Sequence, residues 1–104
     1  MNDFGKAFED AFKKREEVNK MAREKAEKII CKAISEFGKL GMDSVLFELN
    51  DYKIIINNDY IAENSDEVDY IFSLIKDIMS SDNTIKKKVD VEVDTNKIRM
   101  KVKK

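Results

Sequence analysis

Between residues 3 and 38 the apolar positions recur at helical spacing. Phe4, Ala7, Phe8, Ala11, Phe12, Val18, Ala22, Ala26, Ile29, Ile30, Ala33 and Phe37 fall on one stripe at about 100° per residue, interrupted by Arg15 and Lys25. No glycine or proline lies between Lys6 and Phe37, so the spacing predicts one long helix that Gly38 and Gly41 stop. Acid-before-base pairs at i,i+4 (Glu9–Lys13, Asp10–Lys14, Glu16–Lys20, Glu24–Lys28) suit its exposed side, each contributing about 0.3 kcal/mol. Residues 44–50 and 53–57 read as a hairpin around Asp51-Tyr52. Asn64 or Ser65 reads as a cap, with acids in the first turn of a helix running to about Ser80. Its buried stripe would be Val68, Ile71, Phe72, Ile75, Ile78 and Met79.

The last segment, KVDVEVDTNKIRMKVKK, alternates on both sides of Thr95-Asn96. With those residues as the loop, Val93 faces Ile98, Val91 faces Met100 and Val89 faces Val102. The opposite face then pairs Asp94 with Lys97, Glu92 with Arg99 and Asp90 with Lys101. A slip of one residue would destroy both the apolar face and the charge pairing, so the register is specified. The same chemistry echoes upstream. Displaced by 44 residues, Val45, Glu48, Lys53 and Ile54 coincide with Val89, Glu92, Lys97 and Ile98. The predicted fold is therefore α+β in an αββαββ layout, a four-stranded antiparallel sheet with both helices on one face.

That layout leaves the first helix too long. A helix over residues 3–38 spans roughly 54 Å, whereas a strand of five or six residues covers roughly 17–20 Å. Residues 21–37 suffice to cover the sheet. The chain of 104 residues then reads as a single domain with a globular body over 21–104 and a helical arm over 1–20. The arm carries Phe4, Phe8, Phe12 and Arg15 on its stripe. Three fates are open to it. It can pair with a second copy, Ala7 and Ala11 permitting close approach. It can enter a groove on another protein. It can break near residues 13–17 and fold back, although no glycine or proline is present to make the turn.

Charge changes the picture more than composition does. The net charge is −1, but residues 1–40 carry +2, residues 41–82 carry −8 and residues 83–104 carry +5. Within the acidic middle, Asp59, Glu63, Asp66, Glu67 and Asp69 form a candidate patch for a basic partner, or else serve a helix start and a polar loop. A calcium loop is excluded by the missing D-x-D-x-D-G spacing. At the basic end, Lys86, Lys87 and Lys88 precede the last hairpin and Lys101, Lys103 and Lys104 close it. They suit phosphates, or else protect a sheet edge. Those strands have no aromatic residue on which bases could stack.

Catalytic chemistry has little to work with. There is no histidine, no glycine-rich phosphate loop and no G-x-S-x-G or H-E-x-x-H motif. The lone Cys31 lies among isoleucines and reads as a buried, inert thiol. No metal site, cofactor or small-molecule substrate is expected. No apolar run is long enough to span a membrane and no apolar leader precedes the helix, so a reducing bacterial cytosol is the expected setting.

Seventeen lysines against three arginines, abundant isoleucine and asparagine, and no proline follow the codon bias of an AT-rich genome. In size, charge richness and this bias, the whole chain resembles the small inhibitors that phages and mobile elements carry against host defence, anti-CRISPR proteins among them. The resemblance is one of overall make-up, so no family residues are carried over. It implies a non-enzymatic inhibitor that masks a surface of a nucleic-acid-handling protein. The alternative from the residues is a dimeric nucleic-acid-associated accessory protein that uses the C-terminal lysines. A structural dimer without a ligand is the third reading.

Overall fold

The computed structural model describes residues 3–103. Helix α1 (Phe4–Ser35) ends in a single 3-10 turn, Glu36–Gly38. The strands β1 (Ser44–Asn50), β2 (Lys53–Ile56) and β3 (Tyr60–Asn64) follow, then helices α2 (Val68–Ser81) and α3 (Asn83–Lys88). Strands β4 (Val89–Val93) and β5 (Lys97–Val102) complete the chain. Met1, Asn2 and Lys104, which the sequence assigns to the arm and the basic end, lie outside the described residues.

The fold is α+β with a five-stranded antiparallel sheet, ordered β3-β2-β1-β5-β4. The predicted four strands are all present, and β3 is the correction. Asn57 and Asn58 both take positive φ (54° and 65°), and the Asp59 N–H donates to the Ile56 carbonyl at 3.3 Å. That is a type I′ turn, which asparagine tolerates and which sends the chain straight back beside β2. The ladder slips between Ile54 and Ile55, so Ala62 bulges and the alternation of β3 is broken.

One face of the sheet carries the core. Val45, Phe47, Ile54, Ile56, Ile98 and Met100 point towards the helices and pack with Ile71, Phe72, Ile75 and Met79 of α2. Ala22, Ala26, Ile29, Ile30 and Ala33 of α1 close the same cluster. Small residues at Ala22, Ala26 and Ala33 let α1 approach closely. The β4–β5 register is the predicted one, with Val89, Val91 and Val93 opposite Val102, Met100 and Ile98. The ion pairs differ in detail. Lys97 reaches Glu48 of β1 at 3.6 Å and Lys101 reaches Glu92 at 3.7 Å, because β5 is an interior strand with an acid on either side.

Two local readings change. The segment before β4 is helical, because Asp82 caps α3 by accepting from the Ile85 N–H at 3.0 Å. Helix α2 starts later than Asn64 or Ser65 would allow. The Ser65 hydroxyl accepts from the Glu67 N–H at 3.2 Å within a preceding turn, and Asp69 is the acid of the first helical turn.

Candidate functional site: the helical arm and its acidic shoulder

Helix α1 is continuous over 32 residues, about 48 Å, and the molecule measures 65 × 28 × 22 Å. Asp3 starts it by accepting from the Lys6 N–H at 3.0 Å. The first anchor to the body is Asn19, whose side-chain oxygen accepts from the Tyr70 hydroxyl at 3.0 Å. Residues 4–18 therefore project as an arm. Phe4, Phe8 and Phe12 are 68%, 61% and 54% exposed, and Arg15 is exposed beside them. The rings of Phe8 and Phe12 touch, with centroids 5.7 Å apart. By helical phase these residues continue the stripe that Ala22, Ala26 and Ile29 bury further along. The arm thus presents core-like chemistry where its own body supplies nothing to cover it.

The acidic residues do not form one patch. Glu63 and Glu67 converge on Lys25 of α1, at 3.6 and 4.0 Å, and Glu63 also accepts from the Ser65 hydroxyl at 2.9 Å. Glu63 and Glu67, held by Lys25, make an acidic shoulder at the root of the arm, and Asp66 and Asp69 are exposed neighbours of theirs in the chain. Asp59 lies at the other end of β3, about 13 Å away by strand rise, and adds to the field around Lys39. Lys25, which the sequence marks only as a gap in the stripe, is the residue that binds the shoulder to α1.

The predicted basic residues come together where the end of β5 meets the end of α3, with the Lys103 N–H donating to the Lys88 carbonyl. Lys86, Lys87 and Lys88 form the last turn of α3, where cations stabilise the carbonyl end of a helix. The Lys103 ammonium donates to the Lys86 carbonyl. Lys101 is matched by Glu92. Of the described lysines expected to protect a sheet edge, Lys86, Lys87 and Lys88 sit on α3, Lys101 on β5 between β1 and β4, and Lys103 just past β5, while β4 itself carries only Asp90 and Glu92 as charges.

A polar cluster absent from the predicted sites ties the end of α1 to the sheet. Glu36 is 8% exposed and accepts from Lys39 at 2.9 Å and from the Asn57 amide at 3.4 Å. Asn57 in turn accepts from the Leu46 N–H at 2.9 Å. The Lys39 hydrogen bond is the main cause holding the Glu36 carboxyl below its ordinary value, and the same bond raises Lys39. The adjoining cleft of about 370 Å³ contains Lys32, Glu36, Lys39, Asp59 and Tyr60, so its charges balance internally. Its signal in sequence was the Asn57-Asn58 turn together with the Glu36–Lys39 spacing.

Cys31 is exposed, contrary to the reading of a buried thiol. The buried stripe is narrow at Ile29, Ile30 and Ala33, and Cys31 falls off it by one position. Among the described residues, no group of three or more His, Cys, Asp or Glu side chains is placed to hold a metal ion. No helix among them is long and apolar enough to cross a membrane. A scan against protein-family models matches none, and neither the curated proteins nor the solved structures yield a match.

Proposed function

We propose that this chain is a non-enzymatic protein-binding module that works by occupying a surface of its partner. The observation that carries the reading is the exposed phenylalanine stripe on a projecting helical arm, continuous in phase with the buried stripe of the same helix. Burying each ring would contribute roughly 1.5–3 kcal/mol, which is the energy a helix-in-groove interface uses. The acidic shoulder at the root of the arm adds the partner's electrostatics. A surface with an apolar groove beside a basic patch would match both. Basic patches of that kind are where proteins grip nucleic acid, so the module is read as an inhibitor that masks one, in the manner of the anti-CRISPR proteins.

An arm-to-arm dimer is the weaker use of the same face. The three rings expose about 370 Å² per chain if a whole Phe offers roughly 200 Å². Two arms would then hide about 740 Å² of aromatic surface, and flanking residues of each arm would have to supply the rest of the roughly 1,200 Å² of a stable interface. The phosphate-binding alternative has less support, because Lys101 is ion-paired with Glu92 and Lys103 is bonded to the Lys86 carbonyl.

Affinity capture from bacterial lysate tests the reading, with wild type compared against Phe8→Asp and against Asp66→Lys/Asp69→Lys. One partner band lost in both variants, with unchanged circular dichroism, is the expected result. A band retained by both variants would remove the arm and the shoulder from the interface.

A further inference from the structure

The sheet has two edges, and they are managed differently. At β3 the bulge at Ala62 bends the edge, and Lys25 crosses from α1 to Glu63. Strand β4 has neither device. Its pairing with β5 is regular over its whole length, and it carries no lysine and no proline.

The free backbone groups of β4 follow from its ladder. The Asp94 N–H donates to the Lys97 carbonyl at 2.8 Å, and the Lys103 N–H donates to the Lys88 carbonyl at 3.4 Å. Hydrogen-bonded pairs in an antiparallel ladder recur every second residue, so Asp90 and Glu92 also turn their backbone groups towards β5. Val89, Val91 and Val93 turn theirs outward. The Val89 N–H returns to the Ile85 carbonyl at the end of α3. Val91 and Val93 keep both groups free, and no described strand lies beyond them. An open groove of about 390 Å³ lies along this edge, lined by Met79, Val89, Val91 and Val93 together with Ser80, Asp90, Lys86 and Lys103. Val93 is 44% exposed within it.

We propose that the β4 edge is a second docking surface, which takes an extended peptide segment by strand addition. The segment it fits alternates small apolar residues with Lys or Arg. Backbone bonds to Val91 and Val93 hold it, its apolar side chains enter the groove against Met79 and the valines, and its basic side chains face Asp90 and Glu92. Charge selects this occupant over a second copy. Antiparallel pairing of β4 with itself sets Asp90 or Glu92 opposite an acid in every in-phase register, which opposes pairing. The proposal is independent of the arm.

The test is an amide-resolved NMR titration of the full chain with the capped peptide Thr-Lys-Val-Lys-Val-Lys-Thr, and with its counterpart bearing Glu in place of Lys. The expected result is saturable shifts centred on Val91 and Val93, with the acidic peptide about tenfold weaker because two favourable cross-strand pairs become unfavourable. Val91→Pro removes an outward N–H that the β4–β5 ladder does not use, and it should abolish binding while the remaining strands keep their shifts. Asp90→Lys/Glu92→Lys should reverse the preference between the peptides, and it tests the proposal even where the proline variant fails to fold. Equal binding of both peptides, no shift at millimolar peptide, or shifts centred on the arm would overturn it. Concentration-dependent broadening at β4 in the peptide-free protein would assign the edge to a second copy and would overturn it too.

Discussion

Replacing Phe8 by alanine should scarcely change the stability of the isolated chain, whereas the same change at Phe47 should nearly abolish it. Phe8 is 61% exposed, which leaves 39% of its surface covered by its own helix. Full burial of a phenylalanine contributes roughly 1.5–3 kcal/mol, so the covered part contributes about 0.6–1.2 kcal/mol at most. Alanine is the better helix former by about 0.5 kcal/mol, which offsets much of that. The net loss for Phe8→Ala is therefore about 0.7 kcal/mol or less. Phe47 is 0% exposed at the centre of the core, where truncation removes both burial and packing and costs about 3–5 kcal/mol. For a domain of this size 1 kcal/mol moves the melting temperature by about 4–8 °C, so the two variants separate widely. Urea unfolding followed by circular dichroism, at low micromolar concentration, measures both. A loss above about 2 kcal/mol for Phe8→Ala would refute the reasoning, because the ring would then be packed on its own body. A loss that grows with protein concentration would assign the stripe to a second copy.

Other consequences are as direct. Asn57→Ala should cost about 1–3 kcal/mol in urea unfolding, since it removes the acceptor for the Leu46 N–H and places alanine at φ 54°; Asn57→Gly, which keeps the backbone freedom, should recover part of the loss. The depressed Glu36 carboxyl contributes stability that is present above the ordinary glutamate range and is lost as pH falls through its lowered value. Glu36→Gln should therefore flatten the acid limb of a stability–pH curve, and an unchanged limb would contradict the assignment. Cys31 should react with an aromatic disulfide reagent in the native protein at a rate close to that of the urea-unfolded chain. A gel shift with mixed DNA and RNA at about 50 mM salt should show no retained complex, because Lys101 is ion-paired with Glu92, Lys103 bonds to the Lys86 carbonyl, and β4 and β5 carry no aromatic residue for bases to stack on.

What could be read from the amino-acid pattern was governed by how many signals agreed. Along β4 and β5, apolar alternation and charge pairing coincide over five residue pairs, and the register follows. The arm was legible for a different reason. Its stripe is ordinary, but its length exceeds anything the strands could cover. Strand β3 escaped because its bulge breaks the alternation, and because Glu63 faces Lys25 on the helix side. Helix α3 escaped because six residues carry too little periodicity beside three consecutive lysines. Cys31 was misplaced for want of resolution in the stripe: one helical position, about 100°, separates buried Ile30 from an exposed neighbour. The spatial spread of the acidic residues was not legible, since nearness in the chain does not place Asp59 and Glu63, at the two ends of β3, together.

The claim on which the rest turns is that the phenylalanine face of α1 awaits a different protein. Site-specific photocrosslinking from position 8, with a benzoylphenylalanine in place of Phe8 in living bacteria, measures this directly. The account predicts an adduct with one heterologous protein, lost when Asp66 and Asp69 are reversed to lysine. An adduct only with the chain's own body, or only with a second copy, would contradict it.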